Sequence, residues 1–414
     1  MLRSLFPKAY RKYLSLPLLG PITDGFSDWL AVSGFTPGSR RLSIHILPVI
    51  DKKLRRRGID QVAKLNHVVL DDCCRALKKR YPCRAGTVHT LERYLLASGL
   101  IVDCRQATAT QRSIMNEEYA RHLREVRGFA ASTVTSHRRA AECFLQHLKE
   151  TGAAVRCIQP GNVESYITKA GKRLSRASLQ HEIAALRGFL RFLSTDGRAP
   201  TGLDCQIDTP RLYRLEQLPR ALPWETVRKL LQSIDRTSPM GLRDYAMFLL
   251  IATYGLRASE IVAISLEDIR WKQRILRIHQ RKTSSPLELP LTNEVLSALV
   301  KHLKRTPPPA PYRRVFLRMR APIGVLKPTA VTEAFQALVR KSGLSISYQG
   351  PHCLRHSYAV HLLKNGTPLK TIGDILGHRT AESTSMYLRL STGDLREVAL
   401  AVPGSRRSGK EGRC

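Results

Sequence analysis

Four short segments of the chain carry side chains able to work on a phosphate ester. In Gly350-Pro351-His352-Cys353-Leu354-Arg355-His356, Pro351 marks a helix start and His352 and Arg355 stand three apart. That spacing places both on one helix face, about 60° apart. A guanidinium binds nonbridging phosphate oxygens through a planar fork, while an imidazole exchanges a proton near neutral pH. In Thr253-Tyr254-Gly255-Leu256-Arg257-Ala258-Ser259-Glu260, Arg257 directly follows an apolar helix that holds its Cα, and Glu260 can brace its guanidinium. The bland reading of such an arginine is a partner for a helix dipole. Lys282 falls at the turn of a hairpin, where a solvated turn residue is the ordinary outcome. Leu376-Gly377-His378 is followed nine residues on by Tyr387. A phenol with a pKa near 10 is a poor nucleophile unless cations stabilise its anion. A core or surface tyrosine is the plain alternative.

A metal site competes for the same helix. His352, Cys353, His356 and His361 include an i, i+4 histidine pair with possible ligand spacing. Arg355 shares that face and repels a cation. No carboxylate cluster suited to two metal ions is apparent, so the chemistry is expected to need no metal and no cofactor.

Arg in G-L-R-x-S-E, Lys in a hairpin, H-x-x-R, L-G-H and a Tyr nine residues later occur in that order. Together they resemble the tyrosine recombinase (phage integrase) family, over about residues 112–400. The resemblance implies that Arg257 and Arg355 clamp a scissile DNA phosphate and that Tyr387 is the nucleophile. It further implies that Lys282 protonates the leaving 5′-oxygen, His352 is the general acid/base, His378 hydrogen-bonds the phosphate, and Glu260 plays a supporting part. Preorganised cations aimed at the equatorial oxygens of the pentavalent state lower its barrier. The product is a 3′-phosphotyrosine that keeps the bond energy, so a 5′-hydroxyl from another duplex can reverse the step without ATP. The implied function is a site-specific recombinase or integrase serving integration, excision or transposition of a mobile element. Its implied partners are double-stranded DNA and further copies of the chain, as a tetramer, or related recombinases. A type IB topoisomerase-like enzyme and a catalytically silent DNA-binding accessory protein are the alternatives.

These residues need a scaffold, and apolar periodicity supplies a mainly helical one. Residues 1–105 read as helices, with Asp24 and Thr87 as expected N-caps and Gly34 and Gly99 as stops. Residues 110–198 repeat the plan and match the core-binding, SAM-like domain that the resemblance implies. Gly34-Phe35 corresponds to Gly128-Phe129, and Tyr94 to Gly99 corresponds to Phe192 to Gly197, so the first region is a possible duplicate of the second. Residues 199–222 are proline-rich and aperiodic, an expected linker. From Pro223 to residue 403 comes what the resemblance implies is an α+β catalytic domain: helices, a β-hairpin around Arg281-Lys282-Thr283-Ser284-Ser285, a helix starting near Thr380 that carries Tyr387 partway along, and an amphipathic helix over 393–402 that packs on its own chain or, as the resemblance implies, docks on a neighbouring copy. Residues 404–414 read as a disordered tail.

Charge agrees with a polyanionic partner. The 414 residues hold 68 Lys+Arg against 33 Asp+Glu, a formal charge of +35. Phosphate backbones attract such a surface by counterion release. Hydrophobic residues at 43% exclude a disordered polycation, and 6% aromatics argue against a base-stacking platform. No apolar run reaches the roughly 18 residues needed to span a bilayer. The start, MLRSLFPKAYRKYLSLPLLGPI, imitates a signal peptide only loosely, since Pro17 and Pro21 break its apolar part. Nine scattered cysteines without a CxxC pair speak against a disulfide framework or zinc, and fit a reducing, nucleoid-associated cytoplasmic setting.

Overall fold

The computed structural model describes residues 2–101, 111–213, 218–279, 286–348, 350–378 and 380–390. They fall into two compact units, one drawn from residues 6–26 and 42–216, the other from 1–5, 27–41 and 217–414.

The chain opens with α1 (Leu2–Leu5), α2 (Tyr10–Leu14), α3 (Gly20–Val32), α4 (Pro37–His45), α5 (Leu47–Arg55), α6 (His67–Lys78) and α7 (Gly86–Ala97). Leu19, Phe26, Ile50, Leu54, Leu70, Leu77, Leu91 and Leu95 recur at helical spacing and are buried. Gly34 and Gly99 stop their helices in the left-handed region, at φ 82° and 65°. Asp24 and Thr87 are not N-caps; both lie inside helices. Pro21 starts α3 earlier, because its fixed φ suits the first turn and its missing N–H has no partner to lose there. A turn leads into α7, with the Ala85 N–H bonded to Tyr81 O and the Thr87 N–H to Arg84 O, so the entry requires no capping side chain.

A second bundle comprises α8 (Gln111–Glu125), α9 (Ala131–Glu150), α10 (Pro160–Gly171) and α11 (Arg176–Thr195). Tyr119, Phe144, Leu148, Tyr166, Leu186, Phe189 and Leu193 form its core. Its order of elements matches that of the first bundle. Left-handed glycines stand at 34 and 128, 58 and 152, and 99 and 197, offsets of 94, 94 and 98 residues. A 3-10 turn follows the second glycine in both, Val62–Lys64 and Val155–Cys157. Equivalent hydrogen bonds close equivalent helices: Ile59 N–H to Leu54 O and Ala153 N–H to Leu148 O, then Leu100 N–H to Leu95 O and Arg198 N–H to Leu193 O. Where the second bundle has the single α9, the first has α4 and α5, because Pro48 interrupts the ladder.

Residues 199–213 form no helix or strand, yet they are fastened down. Leu203 and Ile207 enter the second bundle's core, the Gln180 side chain donates to Pro210 O at 2.9 Å, and Arg191 pairs with Asp204 at 2.9 Å.

The part of the chain after residue 222 contains α12 (Trp224–Gln232), α13 (Pro239–Tyr254), α14 (Ala258–Ile261), β1 (Ile269–Arg270), β2 (Ile275–His279) and β3 (Pro286–Pro290). After these come α15 (Asn293–Arg305), α16 (Pro328–Ser342), α17 (His352–Lys364), α18 (Leu369–Leu376), α19 (Glu382–Ser385) and a 3-10 helix, Met386–Leu390. The strands make an antiparallel sheet, β1-β2-β3, in which Ile275 faces Pro290 and His279 faces Pro286. The expected hairpin is there, with the short β1 added to its edge. From Tyr245 to Ala252 every residue of α13 is buried, which makes this helix the axis of the core. The fold is mainly α with a small sheet, as its periodicity indicates. No helix among the described residues is long and apolar enough to cross a membrane. The described cysteines are free thiols, with Cys73, Cys74 and Cys353 buried. Residues 393–402 and 404–414 lie outside the described residues.

Candidate active site

α13 ends because Gly255 turns into the left-handed region at φ 65°. A Cβ there would sit 2.5 Å from Leu376 Cδ2 and 3.0 Å from Tyr358 Cδ1, so glycine is required for space as well as conformation. The turn delivers Arg257 to the N-cap of α14. Glu260, buried one turn on, accepts from the Arg257 backbone N–H and from its Nη1, both at 2.8 Å. One carboxylate thus satisfies the helix end and fixes the guanidinium, whose Nη2 points to Gly377 O at 3.5 Å.

Arg355, in the first turn of α17, is only 2% exposed. Its Nη1 donates to Gly255 O at 2.5 Å and its Nη2 to Leu376 O at 2.6 Å. Both acceptors are carbonyls at helix C-termini, the negative ends of α13 and α18. Burial, and next the Arg257 charge, lower its pKa to about 10, which leaves it a cation at neutral pH.

Gly377 closes α18 at φ 62° and turns the chain toward Arg257 and Arg355. His378 follows, with Nδ1 held 2.9 Å from Thr384 Oγ1. Burial first, then the charges of Arg355, Arg257 and His352, drive its pKa down to about 4. The ring is therefore neutral, and it stacks on Tyr387 with centroids 6.3 Å apart and planes at 16°.

Tyr387 is 1% exposed. It sits in the 3-10 helix that follows α19, not partway along one α-helix from Thr380. The phenol oxygen lies 3.0 Å from His356 Nδ1. Burial raises the phenol pKa, opposed by the charges of Arg355 and then Arg257, so at rest the phenol is protonated with two cations within electrostatic reach. His352 stands exposed at the start of α17, its ring edge-on to His356 at 4.6 Å. A cavity of about 320 Å³ lies alongside, lined in part by Arg220, His352, His356 and Met386.

The structure thus brings Arg257, His352, Arg355, His378 and Tyr387 together from four separate elements, with Glu260 behind Arg257. Lys282, in the connection between β2 and β3, lies outside the described residues. The side chains weighed as a metal cluster go to different partners. His356 bonds Tyr387, His361 stacks on Trp224 with centroids 4.1 Å apart, and burial pushes the Cys353 thiol up to about 12. His356 is the residue whose place the motifs miss; its signal was a second histidine one turn after His352.

A family model described as "Phage integrase family" matches residues 220–393, and one described as "Phage integrase, N-terminal SAM-like domain" matches residues 117–197. The putative integrase/recombinase y4rA of Sinorhizobium fredii is 30% identical over 94% of this chain and 97% of its own length. The tyrosine recombinase XerD of Listeria monocytogenes is 28% identical over 68% of this chain and 96% of its own. Among solved structures, a lambda integrase dimer bound to a COC′ core site superposes with a TM-score of 0.52 at 18% identity, covering 78% of this chain and 90% of that one.

Proposed function

The chain belongs to the phage integrase family of tyrosine recombinases, enzymes that cleave and rejoin DNA, and from that premise we propose that Tyr387 attacks a DNA phosphodiester clamped by Arg257 and Arg355. The supporting observation is the convergence of two guanidiniums and a neutral imidazole on one phenol. The Arg257 charge lowers the tendency of Arg355 to stay charged, and Glu260, paired with Arg257, balances only one charge. A phosphate relieves that excess, and the pentavalent state, with more charge on its equatorial oxygens, relieves it further. Because Arg355 is pinned to two carbonyls and Arg257 to Glu260, little reorganisation remains at the moment of reaction. With Nδ1 of His378 committed to Thr384, Nε2 is the nitrogen that serves the phosphate. Guanidiniums here supply the charge, and imidazoles the hydrogen bonds, that metal ions supply in many nucleases. His352, exposed at the mouth, acts as general acid/base, and Lys282 protonates the leaving 5′-oxygen.

The products are a 3′-phosphotyrosine and a free 5′-hydroxyl. Exchange between two duplexes needs four such breaks, which four copies of the chain provide, so the working assembly is a homotetramer on DNA. Its setting is the movement of a mobile element. The integrase/recombinase relative matches the front helices as well as the rest, whereas the XerD relative matches a shorter part of the chain. The front bundle is a duplicate of the second. Both carry exposed basic residues at the corner between their last two helices, Lys78, Lys79 and Arg80 in one and Lys172 and Arg173 in the other. Two bundles with the same corner grip a longer stretch of phosphates than one.

The test is incubation with a nicked duplex whose site the protein has selected from random-sequence DNA, resolved on a denaturing gel. The unchanged protein gives a covalent adduct and Tyr387→Phe gives none. Equal adduct in both eliminates Tyr387 as the nucleophile.

A further inference from the structure

The attacking phenol must lose its proton, and the histidine in contact with its oxygen is His356 rather than His352, the acid/base at the mouth of the site. We propose that His356 is the base that receives the proton. The inference rests on Tyr387 being the nucleophile, and its geometric ground is the 3.0 Å contact between His356 Nδ1 and the phenol oxygen. Of the described residues, His356 is the one that bonds that oxygen. The ring stands at 58° to the phenol ring with centroids 5.6 Å apart, close without stacking. Because α17 carries both Arg355 and His356, the helix that holds the phosphate-binding guanidinium also holds the proton acceptor. Their relative position is set by adjacent residues of one helix.

Tautomer and charge fit the role. Nδ1 takes the phenol hydrogen, so Nε2 carries the ring's own hydrogen. Burial first, then the positive groups His352, Arg355, His378 and Arg220, push the His356 pKa down to about 4, so the ring keeps a lone pair at neutral pH. These groups come from α17 itself, from the end of α18 and from the segment before α12, and Tyr387 faces the ring from the 3-10 helix. A bound phosphodiester brings negative charge among the same cations and makes His356 a stronger base when DNA is present than when it is absent.

The step balances. As the phenol oxygen bonds to phosphorus, the bond from phosphorus to the 5′-oxygen breaks. The phenol proton passes to His356 Nδ1, and the 5′-oxygen takes a proton from the acid assigned to Lys282. On rejoining, the 5′-hydroxyl returns its proton to that acid, and the imidazolium returns its own to the departing phenol.

The measurement is the single-turnover rate of covalent adduct formation on the selected nicked duplex between pH 5 and 9. His356→Asn keeps a polar side chain without a titrating base. It should lower the rate at pH 7 by about 100- to 10,000-fold, the usual range for a lost general base. The remaining rate should climb with pH, because the phenol must then ionise to solvent. A second duplex carries sulfur in place of the bridging 5′-oxygen, so that its leaving group departs without protonation. It should restore Lys282→Ala but not His356→Asn. With that duplex the unchanged protein should retain a normal solvent deuterium effect, a readout that needs no variant. Equal rates for His356→Asn and the unchanged protein overturn the proposal, as does a uniform drop with the same pH dependence, rescue by sulfur, or a vanished isotope effect. Adduct formation by Tyr387→Phe instead refutes the nucleophile assignment and leaves a separate, recognisable failure.

Discussion

At the scale of single residues, burial governs what each charge can do. Arg355 keeps its cation in a dry place because two helix-end carbonyls receive its hydrogen bonds. An ammonium cannot span both acceptors in that planar geometry. Arg355→Lys should therefore cost about 1–3 kcal/mol in urea unfolding, the penalty for an unpaired buried polar group. Adduct formation should fall about 100-fold or more, while affinity for DNA, spread over many phosphates, changes little. The histidines carry a prediction about pH. His356 and His378 both have folded pKa values near 4, against an ordinary 6.5. Between those values the unfolded chain binds more protons than the folded one, so stability is full above about pH 6.5 and drains away as pH falls toward 4. Replacing both by Asn should flatten the decline of Tm between pH 6.5 and 5, although other buried histidines such as His302 add their own slope. A double variant as acid-sensitive as the parent would mean that neither ring is held neutral. Order and spacing made Arg257, His352, Arg355, His378 and Tyr387 readable without a structure. His356 was readable only as a helix neighbour of His352, since no pattern in the chain says which nitrogen a phenol from residue 387 will meet.

At the scale of elements, the site is made of helix ends, and the residues that end helices become part of the chemistry. Gly255 illustrates this, because its left-handed turn, its carbonyl and its missing Cβ all serve Arg355. Gly255→Ala should destabilise the fold by about 1–3 kcal/mol, the usual cost of a residue strained in the left-handed region. It should also lower adduct formation by displacing Leu376, which calorimetry and the cleavage assay can follow together. Thr384→Val keeps the volume and deletes the hydroxyl that holds His378 Nδ1. Cleavage should drop about tenfold with the affinity for DNA unchanged, as expected when an orienting hydrogen bond is lost. Glycine stops were legible because a left-handed φ admits few other residues, and the hairpin because its strands alternate. Helix starts were less legible. Asp24 and Thr87 resemble caps, but Pro21 and the turn before Gly86 had already provided for those helix entries. The 3-10 winding under Tyr387 left no mark in the sequence, since the apolar spacing around it fits an α-helix equally well.

At the scale of the molecule, the excess of 35 positive charges and the repeated bundle point to one property, the length of DNA held. Each phosphate neutralised releases counterions, and the logarithm of affinity falls with the logarithm of salt by about 0.9 per contact on duplex DNA. If both bundles grip the backbone through the corner before their last helix, each corner must contribute its own share of that slope. Lys78→Glu, Lys79→Glu and Arg80→Glu together should reduce the slope by about 2–3, and Lys172→Glu with Arg173→Glu by about 2, at the same per-contact value. All five side chains are exposed, so the folded state should survive both sets of changes. The two sets share no residue and would meet different phosphates, so the two reductions should add when the sets are combined. Footprinting supplies the second measure: the front reversal should shorten the protected stretch while leaving Tyr387 adduct formation on a short duplex intact. A front bundle that only packs against its own chain would behave differently. Its reversal would leave slope and footprint as they were, and the loss would come entirely from Lys172 and Arg173. The two bundles would then share an order of elements without sharing a contact with DNA.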